Sequence, residues 1–241
     1  MMRSGNPALR GEIFTGAASR GAAGAMTIQG TVNKTLLLLM LTVIAASWTW
    51  ARAAAAIPFM MPAAILGFIA ALVTIFKKEW AGITAPIYAL LEGVFLGGIS
   101  AVFEQSYPGI VIQAVALTFG TLFCLLLAYK SGLIKPTENF KLGVVAATGA
   151  VAVVYLLSII VGLFGIRFPL IHDSGPVGIL FSLVVVVIAA LNLVLDFDFI
   201  ENGEAAGAPK YMEWYGAFGL MVTLIWLYLE MLRLLAKIRS R

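Results

Sequence analysis

Seven stretches of about twenty mostly apolar residues, parted by polar or Gly/Pro breaks, decide what this chain can fold into. A helix needs about 20 such residues to cross some 30 Å of hydrocarbon. The expected spans are Thr35–Ala56, Ile57–Phe76, Gly82–Phe103, Gly109–Tyr129, Leu142–Gly165, Val177–Ile200 and Trp214–Lys237. Arg52 and Pro58 interrupt an apolar run from Thr35 to Phe76 that is too long for one span and suits a tight helical hairpin. With 61% hydrophobic and only 12% charged residues, no single water-facing core could hide the apolar excess. The 24 glycines suit the close helix approach found in bilayers. The fold expected is therefore an all-α membrane protein, a bundle of seven transmembrane helices from residue 35 to 241 preceded by a flexible Gly/Ala-rich tail over residues 1–34.

The net charge of +4 does not point to nucleic acid, because the 16 Lys and Arg fall in short clusters between apolar runs, where they set topology. With the amino terminus in the cytoplasm, that side receives Arg3, Arg10, Arg20, Lys34, Lys77, Lys78, Lys130, Lys135, Lys141 and Lys210, and the opposite loops receive only Arg52 and Arg167. Arg233, Lys237, Arg239 and Arg241 go against this rule if all seven spans cross. Residues 1–33 lack an apolar core followed by a cleavage site, so they read as a tail and not a signal peptide. The expected location is a cell membrane.

Ionisable groups inside hydrocarbon cost at least about 2.5–3.5 kcal/mol on insertion scales and are functional candidates by default. Glu92 lies mid-span, within a turn of the Gly93/Gly97 step, and reads either as a carboxylate in a bundle cavity or as packing glue between helices. The segment LNLVLDFDFIENGE closes the sixth span with Asn192 and Asp196 on one face, and with Asp198, Glu201 and Asn202 on another. Gly203 is the expected C-cap. Glu230 and Arg233, three apart, form a local ion pair, while Glu213 and Trp214 anchor the start of the last span. Enzyme signatures fail. Ser100 has no general base, since the single His172 pairs with Asp173 in a loop; Asp196 and Asp198 diverge on one helix; Cys124 lies in an aliphatic run; no phosphate-binding loop is present. A non-enzymatic protein without a cofactor is expected.

The segments PIYALLEGVFLGGISAVFE, LNLVLDFDFIENG and EWYGAFGLMVTLIWLYLEMLRLLAKI, in this order and spacing, resemble the bacterial branch of the Bax inhibitor-one family from about Thr35 onward. The resemblance implies seven helices, the last packed centrally, pH-sensitive calcium leak, and a bacterial inner membrane as the location. In such proteins two aspartates share a proton, one late in the sixth helix and one in the seventh, and a basic residue ending the second helix pairs with one of them. The sixth-helix aspartate falls on Asp196 and the basic partner on Lys77 or Lys78. The seventh-helix position is Thr223, whose hydroxyl can donate to a carboxylate but cannot share a titrating proton. Gate or sensor roles are thus expected of Asp196, Thr223, Lys77 and Lys78. Glu92, Asn192, Asp198 and Glu230 are expected along an ion path, with Asp196 and Asp198 as weak, transient oxygen ligands for calcium, a hard cation. The expected partners are the bilayer, calcium and protons. Two further roles compete: a regulatory partner of a membrane protease or other membrane protein, contacted through the basic tail, and a proton-coupled small-solute transporter built around Glu92.

Overall fold

The computed structural model describes residues 24–165 and 175–240. Most of the tail, with Arg3, Arg10 and Arg20, and the loop residues Arg167, His172 and Asp173 lie outside the described residues. Seven long helices follow one another: α1 Ile28–Ala51, α2 Ala53–Phe76, α3 Ala81–Ser106, α4 Ile110–Lys130, α5 Glu138–Leu163, α6 Pro176–Ala205 and α7 Met212–Arg239, with a 3-10 turn Lys78–Trp80 before α3. Each is long and apolar enough to cross a membrane. Large apolar side chains such as Phe59, Phe68, Ile83, Leu142 and Leu163 face outward, as a lipid-bathed surface requires.

Several helix ends differ from those expected, for local reasons. Helix α1 begins at Ile28, two turns before Thr35, because the Thr27 hydroxyl accepts the Gly30 N–H at 3.0 Å and caps it. The α1–α2 break falls at Arg52, whose φ of −127° leaves the helical region, so Pro58 lies inside α2 together with Pro62. Gly203 does not end α6. The helix runs through it to Ala205, and the positive φ falls instead on Gly207. Gly203 is small for another reason: a side chain there would press on Met26, its Cβ 2.8 Å from the Met26 sulfur.

Helix α7 is the centre of the bundle, packed on α1, α3, α4 and α6. One face sets Phe218, Met221 and Ile225 among Leu38, Tyr88 and Leu96 of α1 and α3. The other sets Leu224, Leu227 and Leu232 among Ile110, Ala114 and Leu193 of α4 and α6. Helix α1 crosses α3 at the Gly93/Gly97 step, where a Cβ on Gly97 would stand 2.7 Å from the Ala46 Cα. Helix α5 is the outlier and rests mainly on α6.

Candidate functional site

The acidic end of α6 faces two neighbours, and the two aspartates part between them. Asp198 turns to α5, where the Lys141 ammonium lies 2.9 Å from its carboxylate. Asp196 turns to α7, whose Gly219 lets the backbone come close: a Cβ there would stand 3.7 Å from Asp196 Oδ1. The other oxygen, Oδ2, is shut off from solvent and meets no hydrogen-bonding protein group. Beside this carboxyl stands the buried Thr223 hydroxyl. A hydroxyl has one proton to donate, and that of Thr223 is also directed at the Gly219 carbonyl at 3.3 Å. The structure thus brings Asp196 and Thr223 together.

One turn earlier, the Asn192 amide donates to Thr148 Oγ1 and to the Ile188 carbonyl, both at 2.8 Å, and so tethers α6 to α5. Two turns beyond Thr223, buried Glu230 accepts two bonds from Arg233, at 2.7 and 3.0 Å, and one from the Tyr155 hydroxyl of α5 at 2.8 Å. Arg233 in turn donates to the Tyr155 oxygen at 2.5 Å. These groups line up. Lys141, Thr148 and Tyr155 recur every seventh residue of α5 and so share one stripe of that helix. Facing them are Asp198 and Asn192 of α6, and Glu230 of α7. A polar file therefore runs between α5, α6 and α7, with carboxylates at Asp198 and Asp196 toward one end and the Glu230–Arg233 pair toward the other.

Other predicted residues stand apart from this file. Lys77 and Lys78 are exposed at the end of α2, and Lys78 lies 5.2 Å over the Tyr215 ring; among the described residues neither forms an ion pair with Asp196. Glu92 is half-buried against α2, its Oε1 3.0 Å from where a Cβ on Gly67 would stand. Asp196 and Asp198 do not converge on one ion position, and no group of three or more His, Cys, Asp or Glu side chains is placed to hold a metal among the described residues.

A second polar cluster escaped the sequence reading. Glu213, in the first turn of α7, has no exposed surface. Its carboxylate is paired with Lys34 of α1, accepts from Lys210 at 2.7 Å, and accepts the Thr27 N–H at 2.9 Å and the Thr27 hydroxyl at 2.8 Å. The Met26 N–H donates to the Ala208 carbonyl at 2.7 Å and the Lys210 N–H to the Gly24 carbonyl at 2.9 Å, so the strand-like entry to α1 lies along the α6–α7 loop. Gly30 makes this possible, since any side chain there would overlap the Glu213 carboxylate.

The chain matches the family described as Bax inhibitor 1 like over residues 6–240. None of the curated proteins compared with it matches. It belongs to the Bax inhibitor 1 like family, as a membrane protein of seven apolar helices.

Proposed function

We propose that this protein lets cations, calcium among them, leak across the membrane along the polar file between α5, α6 and α7, with Asp196 as its gate. The observation that carries the reading is Asp196 Oδ2, a carboxylate oxygen buried in a membrane-spanning helix with no protein partner. An unpaired buried polar atom is costly, and a passing cation or a proton is what would satisfy it. Thr223 supports the closed arrangement by offering a hydroxyl to the same carboxyl. Calcium would pass the file without residing in it, since Asp198 is already neutralised by Lys141. We place the start of α1 on the cytoplasmic side, because Lys34, Lys77, Lys78, Lys130, Lys135, Lys141 and Lys210 gather at that end of the bundle. No chemical step is assigned to the chain.

Calcium flux into liposomes tests the proposal. Asp196→Asn keeps the shape and removes the charge; flux between pH 6 and 8 is expected to change by about tenfold, the effect of some 1.4 kcal/mol on a barrier, and to lose most of its pH dependence. Unchanged flux with an unchanged pH profile would exclude the gate. The far end of the file gives a test by sign. Arg233→Gln removes a positive charge facing Glu230 and raises flux, whereas Glu230→Gln leaves Arg233 uncompensated and lowers it. A merely structural ion pair would shift both variants in the same direction.

A second reading, a regulatory partner of another membrane protein, draws support from the entry to α1, which lies along the α6–α7 loop. Deleting residues 1–23 leaves Thr27 and Glu213 in place. Loss of a copurifying membrane protein with flux intact would favour this role over the leak.

A further inference from the structure

Between α1 and α4 a cavity of about 650 Å³ opens at the end of the bundle where α1 begins and α4 ends. Val32 and Leu36 of α1, Leu122 and Leu126 of α4, and Phe197 and Ile200 of α6 form its walls. All six belong to membrane-spanning helices. The volume lies within the range of small-ligand sites, about 300–1,000 Å³. A partner helix about 10 Å across would fill it with roughly one and a half turns, too little to seat a protein.

The rim differs from the walls. Lys130 and Lys135 border the mouth, both exposed. Lys34, Lys141 and Lys210 at the same end of the bundle are each engaged by a carboxylate, but neither Lys130 nor Lys135 joins an ion pair among the described residues. The one acid at the rim, Glu201, has its carboxylate occupied by the Tyr129 hydroxyl. An apolar slot whose rim carries two ammonium groups against one carboxylate, a net positive mouth, matches one chemistry: a long hydrocarbon chain ending in a negative headgroup.

We propose that this cavity is a binding site for a single anionic phospholipid, one acyl chain between α1 and α4 and the phosphate on Lys130 and Lys135. Basic pockets between membrane helices take lipid headgroups in this way. Neither Asp196 nor Thr223 lines the cavity.

Native mass spectrometry of the full chain in mild detergent, titrated with phosphatidylglycerol or phosphatidylcholine of equal chain length, tests the proposal. One phosphatidylglycerol is expected to be retained about tenfold more strongly than phosphatidylcholine, since two lysines near a headgroup are worth about thirtyfold and Glu201 on the same rim offsets part of that. Lys130→Gln with Lys135→Gln, both on the exposed surface, removes that preference without lowering the thermal midpoint. Leu36→Trp fills the slot and abolishes retention of both lipids; Val32→Phe provides the same test with a smaller change. Equal retention of the two lipids by the unmodified chain, or a preference that survives the double glutamine variant, would overturn the proposal. So would displacement of the lipid by inorganic phosphate alone, because the acyl chain would then contribute nothing.

Discussion

Glu213→Ala is expected to destabilise the bundle by about 3 kcal/mol, the range for breaking a buried ion pair, although Glu213 lies in the first turn of α7 where loss of an exposed acid would cost only tenths. The substitution leaves the Lys34 ammonium, the Lys210 ammonium, the Thr27 amide and the Thr27 hydroxyl without their common acceptor. Lys210 is half-exposed and turns to water, so most of the loss falls on Lys34 and Thr27. Reversible unfolding in mixed micelles measures the change. Gly30→Ala gives an internal check, because its methyl would overlap the Glu213 carboxylate. In the double variant the carboxylate is gone and the methyl has room, so the two losses should fall short of additive. Additive losses would mean that the strap at Thr27 and the α7 cap are unconnected.

Gly97→Val is the second large effect. The added Cβ meets the Ala46 backbone, 2.7 Å from its Cα, and a backbone cannot step aside as a flexible side chain can. Helices α1 and α3 must separate, which costs about 3 kcal/mol or more. The same unfolding assay should show the opposite sign for Gly120→Ala on α4, where a Cβ meets nothing within 4 Å and the helix gains about 1 kcal/mol of propensity. If both variants weakened the protein equally, the close α1–α3 crossing would not be a source of stability.

The span pattern was legible because hydropathy alone decides it: all seven helices fall on the expected runs. Their ends were not, since α1 is set by a Thr27 cap and α6 continues through Gly203, details that depend on side chains meeting across the fold. Asp196 beside Thr223 was foreseen through the family resemblance, and the Glu230–Arg233 pair through its local spacing. Glu213 misled for the opposite reason. Its acid at a helix start explains itself locally, whereas its partners Lys34 and Thr27 lie 179 and 186 residues away along the chain. The α5 stripe went unread because Thr148 and Tyr155 carry no charge. Its signal was the seven-residue spacing of Lys141, Thr148 and Tyr155 in an otherwise apolar helix.

The centrality of α7 carries a consequence for biosynthesis. Chains leave the ribosome from the amino end at about 5–20 residues per second, so α1 to α6 enter the membrane before the helix around which four of them pack. Until α7 arrives, Lys34 lacks its acid and the groove that takes Phe218, Met221 and Leu227 stands open. A nascent product that stalls after α6 therefore displays an unpaired lysine and an unfilled seam, marks by which membrane quality control can tell it from the finished protein.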